Sequence, residues 1–399
     1  MDELLRGAAE RLLRPPPESA PAGAPVAEPA AVTEPAAVPV PPAVTGLPDK
    51  PVPDEELLDL LSGLSAPPDP AVPATVAARW LVPPEHPVPD AVTRPVVPWL
   101  VDLLGLPTGT AGGLVADAAT ATATALAAAR YRILAEVGWD VDSQGLSAAP
   151  PITVVVGDEA HPRLHDALRL LGLGQDRVIR IRTDGQGRIR PTLIPPLHRP
   201  ALVCTQVGET AGGAIDPVAA VCAEVHDADA WVHVDGTFGL WAAASPMTRD
   251  LLVGVPYADS WATVAPDGSG PDGSGLVAAR DGAALRVALE LARPARPVEV
   301  WAALLALGRA GVAERVEVTC GQARRLAGEL VAAGYPVLNE VVLDRVVVGG
   351  NTAGTVGRLR GVVDVSGTVW QRRPAICIRV GTRPVVDAVI HALTRSSTR

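Results

Sequence analysis

Two pairs of residues have types and spacings that could support chemistry. His161 and His165 stand four residues apart in DEAHPRLHDAL, so on a helix they would share one face and could bind a metal ion. No acidic or third ligand motif accompanies them, so we predict no metal site, and His161 could equally be a hydrogen-bonded histidine at a helix start. His233 and Asp235 alternate in WVHVDG, which places both on one face of a strand. Asp235 could contact a ligand or cap a loop, whereas His233 is more typical of a buried histidine with a hydrogen-bond partner.

The basic residues are almost all arginine. Lysine and arginine total 34, yet Lys50 is the single lysine of the chain. Such a bias is typical of a GC-rich genome. It also leaves residues 51–399 without a side-chain amine that could form a Schiff base.

Composition excludes several classes of protein. The chain has 399 residues, a net charge of −10 and a pI near 5.2, which disfavour nucleic acid as a partner. No apolar run approaches the ~20 residues that a transmembrane helix needs, so we expect no contact with a membrane. The opening MDELLRGAAERLLRPPP lacks the apolar centre of a signal peptide, and the four cysteines form no CxxC pair. We therefore expect a cytoplasmic protein with free thiols.

Changes in composition divide the chain into four segments. Residues 1–52 form a leader rich in proline and alanine that we predict to be disordered. Residues 53–98 form an N-terminal segment that begins with a helix over DEELLDLLSGL. We assign residues 99–290 to a large domain and residues 291–399 to a small C-terminal domain.

The large domain alternates short apolar runs with helical stretches, which predicts an α/β fold. Its predicted strands are ITVVVG, RVIRIRT, ALVCTQVG, AWVHVDG, ADSWATVA and GLVAARD. Its main predicted helices are WLVDLLGL, DAATATATALAAARYRILAEVG, HPRLHDALRLLGLG and PVAAVCAEVHDA. Since the strands are apolar on both faces, we expect a mostly parallel sheet, of a seven-stranded type, covered by helices on both sides. For the C-terminal domain we predict an α+β arrangement of one or two long helices, the strands YPVLNEVVL, RVVVGG and AICIRVGT, and a closing helix PVVDAVIHALTR.

Four motifs together resemble those of a known family. DEAHPRLHDALRLLGLG, GGAIDP, WVHVDGTFGLWAAAS and ADSWAT occur in the order and at the spacings of the group II amino-acid decarboxylases, the glutamate and aromatic-amino-acid type, which depend on pyridoxal phosphate (PLP). The resemblance extends from about Trp99 to Thr394 and implies a fold-type I architecture with a C-terminal α+β small domain. It also implies a dimer, because sites of this family are assembled between two subunits.

The resemblance assigns two cofactor contacts directly. PLP acts as an electron sink when a lysine holds its aldehyde and a carboxylate keeps its ring nitrogen protonated. The family histidine that covers the ring matches His161, and the family carboxylate matches Asp235. His233 and Thr210 complete the set of residues that we predict to lie around the cofactor.

The lysine of the family has no counterpart. Aligned without a gap from Trp261, the family lysine falls on Asp267 and the preceding histidine on Pro266. The tandem repeat PDGSGPDGSG covers this position. It could suggest a calcium or phosphate loop, but we interpret it as a flexible turn in place of the catalytic loop.

Two further family sites are altered. The glycine-rich turn that cradles the PLP phosphate matches the stretch Ala116 to Ala119, where the glycines are lost and Asp117 adds a negative charge. The arginine that can receive the substrate carboxylate falls on Cys377, so Arg379, one step along the same strand face, is the candidate substrate contact.

Two hypotheses about function follow. The chain is either a catalytically silent decarboxylase homologue that pairs with an active paralogue or with itself, or an enzyme that uses PLP without an internal lysine aldimine or performs other chemistry in the altered pocket. We favour the first hypothesis because the missing lysine and the altered phosphate turn both weaken the binding of the same ligand, PLP.

Overall fold

A computed structural model of the chain describes residues 75, 78, 82, 88–265, 273–350 and 352–394. The predicted disordered leader, the helix over DEELLDLLSGL and the position of Asp267 lie outside the described residues. The boundaries proposed for the four segments remain predictions.

The described part of the chain consists of ten α-helices and ten β-strands, joined by turns and short 3-10 segments. The helices are α1 (Asp90–Thr93), α2 (Val96–Leu103), α3 (Ala118–Glu136), α4 (Val141–Gln144), α5 (Pro162–Leu170), α6 (Val218–Val225), α7 (Gly282–Glu290), α8 (Pro297–Ala332), α9 (Thr352–Leu359) and α10 (Val386–Thr394). The strands are β1 (Ala111–Val115), β2 (Thr153–Gly157), β3 (Val178–Ile181), β4 (Ala201–Gln206), β5 (Trp231–Asp235), β6 (Ser260–Val264), β7 (Gly275–Ala279), β8 (Arg345–Gly349), β9 (Asp364–Trp370) and β10 (Arg373–Arg379).

Seven strands form one mostly parallel sheet, as the sequence predicts. Their order is β1-β7-β6-β5-β4-β2-β3. The neighbours from β3 to β6 pair in parallel, whereas β7 pairs antiparallel with both β6 and β1. The predicted α/β fold is confirmed, and all six predicted strands are present.

The edge strand β1 was not predicted because its sequence, AGGLV, lacks a strand-like apolar run. Both glycines are needed for packing. A Cβ on Gly112 would lie 2.8 Å from a methyl group of Val97, and one on Gly113 would lie 2.7 Å from Leu289. Close packing from both sides therefore overrides the low strand propensity of glycine.

Both faces of the sheet are buried against helices. On one face, α3 packs against β5, β6 and β7. Its buried alanines, which include Ala121, Ala125 and Ala128, allow the helix to lie close to the strands. On the other face, the core contains Val203, Val234 and neighbouring side chains from α2, α6 and α8.

The C-terminal section contains the long helix α8 and a second sheet. α8 is interrupted at Gly308, where φ is +61°. The second sheet has the antiparallel order β8-β10-β9. The strands β8 and β10 and the closing helix α10 were predicted, whereas β9 and α9 were not.

One predicted C-terminal strand, YPVLNEVVL, is not a regular strand. Its pairing with the sheet includes an isolated bridge between Val337 and Val348. The side chain of Asn339 is the reason that pairing stops there, because its Oδ1 accepts the hydrogen bond from the backbone N–H of Val347 at 2.8 Å. A side chain thus replaces the backbone partner that a continued strand would supply.

Among the helices that the structure describes, none combines the length and the apolar character required to cross a membrane.

Candidate functional site

The carboxyl ends of β2, β4 and β5 bring the candidate residues together. Gln206, the last residue of β4, is the register partner of Asp235, the last residue of β5. Strand β2 ends at Gly157, and the chain then turns into α5 with His161 immediately before its first residue. Open parallel sheets commonly bind ligands at this edge.

His161 caps the amino terminus of α5. Its Nδ1 accepts a hydrogen bond from the backbone N–H of Arg163 at 2.9 Å, and its own backbone N–H donates to Oε1 of Gln206 at 3.0 Å. Burial lowers the pKa of the imidazole, and the charge of Arg163 lowers it further. His161 therefore has a structural role at the helix start, while its ring lies beside that of Phe238, with the centroids 5.9 Å apart.

Gln206 ties the loop before α5 to the end of β4. Its Nε2 donates to the backbone carbonyl of Glu159 at 2.9 Å. The buried Asp216 holds the backbone in turn, because its two carboxylate oxygens accept from the N–H groups of Gln206 and Ile189 at 2.6 and 2.7 Å. Burial raises the pKa of Asp216 to about 7, although both hydrogen bonds favour the ionised form. We call Asp216, Gln206 and His161, with the contacts between them, the Asp216 network.

Asp235 is buried and already has donors on one oxygen. Its Oδ1 accepts from the backbone N–H of Thr237 at 3.1 Å and from the Thr237 hydroxyl at 2.7 Å. Arg163 donates to the same hydroxyl at 3.1 Å. Within the described part of the chain, Oδ2 has no hydrogen-bond partner, so this oxygen could receive a donor from a ligand.

His233 is completely buried in the sheet. Its Nδ1 lies 3.0 Å from the Ser260 hydroxyl, which accepts from the indole N–H of Trp231 at 2.8 Å. The indole N–H of Trp231 can only donate, so the Ser260 oxygen accepts from it. The hydroxyl proton of Ser260 can then be donated to Nδ1 of His233. The other ring nitrogen, Nε2, has no partner among the described residues. Burial lowers the pKa of His233 to about 4, so the ring is neutral at neutral pH.

The C-terminal section contributes an arginine that sequence reasoning missed. The guanidinium of Arg345 lies over the ring of Phe238, 4.2 Å from its centroid, and donates to the carbonyl of Thr210. The Thr210 hydroxyl is buried and has no hydrogen-bond partner within the described residues. Arg345 comes from a distant strand, so only the folded arrangement identifies it.

Arg379 and Cys377 lie on β10, next to this region. Arg379 is the register partner of Arg345, but its Nε forms an ion pair with Oδ2 of Asp364 at 3.4 Å. Cys377 donates from Sγ to the carbonyl of Ala211 at 3.2 Å. The contact with the turn at 210–212 is thus made by Cys377 and Arg345, while the guanidinium of Arg379 is held by a neighbouring strand.

The residues at the start of α3 do not fit the phosphate of PLP. Asp117 is the N-cap residue, and its Oδ1 accepts from the backbone N–H of Thr120 at 2.7 Å. The carboxylate therefore takes a donor that a phosphate would need and adds a like charge. A Cβ on Gly275 would lie 2.2 Å from the carbonyl oxygen of Asp117, so β7 is packed directly against this corner.

The anchors required for a covalently held PLP are thus incomplete. His161 and Asp235 lie at one edge of the sheet, the helix start is capped by a carboxylate, and the single lysine, Lys50, precedes the described residues. In the described ranges, no group of three histidine, cysteine or acidic side chains is placed to hold a metal ion.

Comparison with known proteins identifies relatives by sequence. Residues 71–267 match the pyridoxal-dependent decarboxylase conserved domain. The acidic amino acid decarboxylase GADL1 of Homo sapiens is 32% identical over 129 residues, which are 30% of this chain and 25% of that protein. The 4-hydroxyphenylacetaldehyde synthase of Rhodiola rosea is 30% identical over 182 residues, 41% of this chain and 36% of that protein. The alignments thus span about a quarter to a third of these curated relatives.

The fold is also that of solved decarboxylase structures. The crystal structure of Oryza sativa TDC with PLP and tryptamine superposes with a TM-score of 0.73 and 20% sequence identity, covering 89% of each chain. Mouse CSAD in its apo form superposes with a TM-score of 0.72 and 20% identity, covering 88% of each chain. These likenesses show the fold-type I architecture that the sequence motifs imply.

Proposed function

Because the chain belongs to the pyridoxal-dependent decarboxylase family, whose cofactor is PLP, we propose that it is a catalytically silent member of that family. The proposal rests on one observation above all. Residues 51–399 contain no lysine, so the part of the chain that carries the decarboxylase fold cannot form the internal Schiff base. Without that amine, PLP has no covalent anchor and no route of exchange onto an amino-acid substrate.

The start of α3 supports the same proposal independently. There the Asp117 carboxylate occupies a donor of the helix terminus, which disfavours binding of a phosphate dianion. The loss of the amine and the loss of the phosphate cradle act on opposite ends of one ligand. We therefore propose that a single substitution does not restore activity.

We further propose that the chain acts as a subunit, in a heterodimer with an active paralogue or in a homodimer. His161 and Asp235 lie at one edge of the large sheet, and Arg345 of the second sheet lies over Phe238, which is beside His161, so residues of a family-type site are still grouped together. A subunit without its own chemistry could in this way complete the site of a lysine-bearing partner.

The direct test is a decarboxylase assay of the full chain with added PLP. Release of carbon dioxide would be measured from glutamate, aspartate, tyrosine, tryptophan, dihydroxyphenylalanine and histidine. We expect no release above that from PLP alone, both for the wild-type chain and for Asp267→Lys. PLP-dependent release by the wild-type chain would contradict the proposal and favour the alternative, an enzyme that uses PLP without an internal aldimine.

Pairing is tested separately by co-expression with a lysine-bearing paralogue. We expect the two chains to copurify and the paralogue to be more active in the complex than alone. Absence of a complex, together with a monomeric chain at micromolar concentration, would contradict the subunit role and leave the prediction of silence standing.

A further inference from the structure

The outer edge of β3 is open. β3 is the last strand of the seven-stranded sheet, and among the described strands it pairs only with β2. The carbonyl oxygen of Ile181 accepts from the backbone N–H of Asp158 at 2.9 Å, so the backbone of Ile181 faces β2. Because successive residues of a strand direct their backbone groups to opposite sides, those of Arg180, and of Arg182 just after the strand, face away from the sheet. Within the described ranges no strand, loop or side chain bonds to these groups, so they form a template for a further strand.

The side chains along this edge carry mainly one sign of charge. Arg180 and Arg182 are exposed and lie on one face of the strand, because side chains alternate with a period of two residues. Arg177, just before the strand, is exposed as well, and among the described residues none of the three arginines forms an ion pair. Asp176 is the one acidic residue of the segment 176–182. In a chain whose net charge is −10, the edge is thus locally basic.

The two faces of β3 indicate which segment fits beside it. Ile181 is 4% exposed and Ile179 is half-buried, and both pack against the core on the face opposite to the arginines. A strand added at this edge places its side chains beside those of β3, face by face. Acidic side chains fit beside Arg180 and Arg182, and apolar side chains fit beside Ile179. The matching segment therefore alternates acidic and apolar residues.

We propose that the open edge of β3 binds an extended segment of another protein in which acidic and apolar residues alternate. Main-chain hydrogen bonds supply the affinity, and pairs between the carboxylates of the segment and the two arginines, Arg180 and Arg182, supply the selectivity. The same arginines repel the β3 edge of a second copy, so they select against association of this edge with itself. β3 contributes no residue to the candidate site, so the proposal does not depend on whether the chain is catalytically silent.

The first test measures, by fluorescence anisotropy, the binding of a fluorescein-labelled heptapeptide of alternating glutamate and valine to the full chain. The double variant Arg180→Glu with Arg182→Glu should bind the peptide about tenfold or more weakly, because both positions change from attraction to repulsion. Arg286→Glu with Arg324→Glu is the matched control, since both arginines are exposed, lie outside β3 and change the net charge equally. The control should bind like the wild type. Circular dichroism melting would verify that both variants are folded.

A second test leaves the protein unchanged and asks whether main-chain hydrogen bonds form. Only alternate N–H groups of an added strand face β3, so methylation of the glutamate nitrogens and methylation of the valine nitrogens of the peptide should differ in effect. One methylated peptide should bind like the unmodified one, and the other about tenfold or more weakly. Loss through the glutamate nitrogens would indicate antiparallel pairing with β3, and loss through the valine nitrogens would indicate parallel pairing.

Three results would overturn the proposal. Equal affinities of the two methylated peptides would show that no strand is added to the edge. Equal affinities of the two double variants would show that Arg180 and Arg182 take no part in binding. Absence of peptide binding to the wild type would also overturn it, and adsorption of the chain to phosphatidylserine vesicles would in that case identify the exposed arginines as a surface for anionic lipids.

Discussion

Two corners of the molecule, at which the sequence motifs predict the contacts to one cofactor, differ in what their residues do for the fold. At the carboxyl edge of the sheet, His161 caps α5 and the buried Asp216 accepts hydrogen bonds from two backbone segments. At the start of α3, where the sequence motifs predict the phosphate turn of the family, Asp117 caps the helix by itself. The residues of the first corner hold several backbone segments together, whereas the Asp117 contact at the second corner is confined to its own helix.

The difference teaches that a retained residue is weak evidence for chemistry when it also has a structural role. His161 would be needed as a helix cap in a protein without any cofactor. A Schiff-base lysine has no comparable structural role, so its absence from residues 51–399 is the more informative observation. Measurements of the free energy of unfolding can therefore show how much the residues of each corner stabilise the fold.

The largest effect is expected at the Asp216 network. Asp216→Ala leaves the N–H groups of Ile189 and Gln206 buried without acceptors, at about 1–3 kcal/mol each, so we expect a loss of about 4 kcal/mol in the free energy of unfolding. Urea unfolding would measure it. Asp227→Ala, at an exposed position, is the control and should change stability by less than about 0.5 kcal/mol. Similar small losses in both variants would remove the distinction between the two corners.

The second effect concerns His233, which lies on β5 just before the candidate carboxylate. Its folded-state pKa of about 4 is below the ordinary value of 6.5, so the unfolded chain binds more protons between these values. Stability from this residue is therefore present above pH 6.5 and is lost as the pH falls toward 4. The difference between these two pKa values corresponds to about 3 kcal/mol in the free energy of unfolding.

His233→Asn should remove this pH dependence. Urea unfolding at several pH values would compare it with the wild type and with His198→Asn, which changes an exposed histidine. The wild type and His198→Asn should lose stability in parallel on acidification, while His233→Asn should lose about 3 kcal/mol less. Equal losses in all three proteins would show that His233 is not a buried neutral histidine.

The smallest effect is expected at the start of α3. Asp117→Ala removes an N-cap and should cost about 1 kcal/mol, whereas Asp117→Ser keeps the cap and should cost only a few tenths of that. Asp281→Ala, at the N-cap of α7, is the matched control and should resemble Asp117→Ala. If Asp117→Ala were more stable than the wild type, the carboxylate would be a source of strain and would not serve as a cap.

The sequence predicted the large sheet well because its strands are buried on both faces and have continuous apolar runs. It failed where packing or a side chain overrides local preference, as at Gly113 in β1 and at Asn339 in the expected strand YPVLNEVVL. His161 and Asp235 could be found because family motifs surround them. Arg345 could not, since its contacts with Phe238 and Thr210 join segments more than a hundred residues apart.

The central claim is that this chain does not hold PLP in the manner of its relatives. The most direct measurement is the absorption spectrum of the full chain purified with excess PLP and then separated from free ligand by gel filtration. Our account predicts no visible absorption band and no PLP retained at stoichiometric amount. A visible band corresponding to about one PLP retained per chain after gel filtration would contradict it.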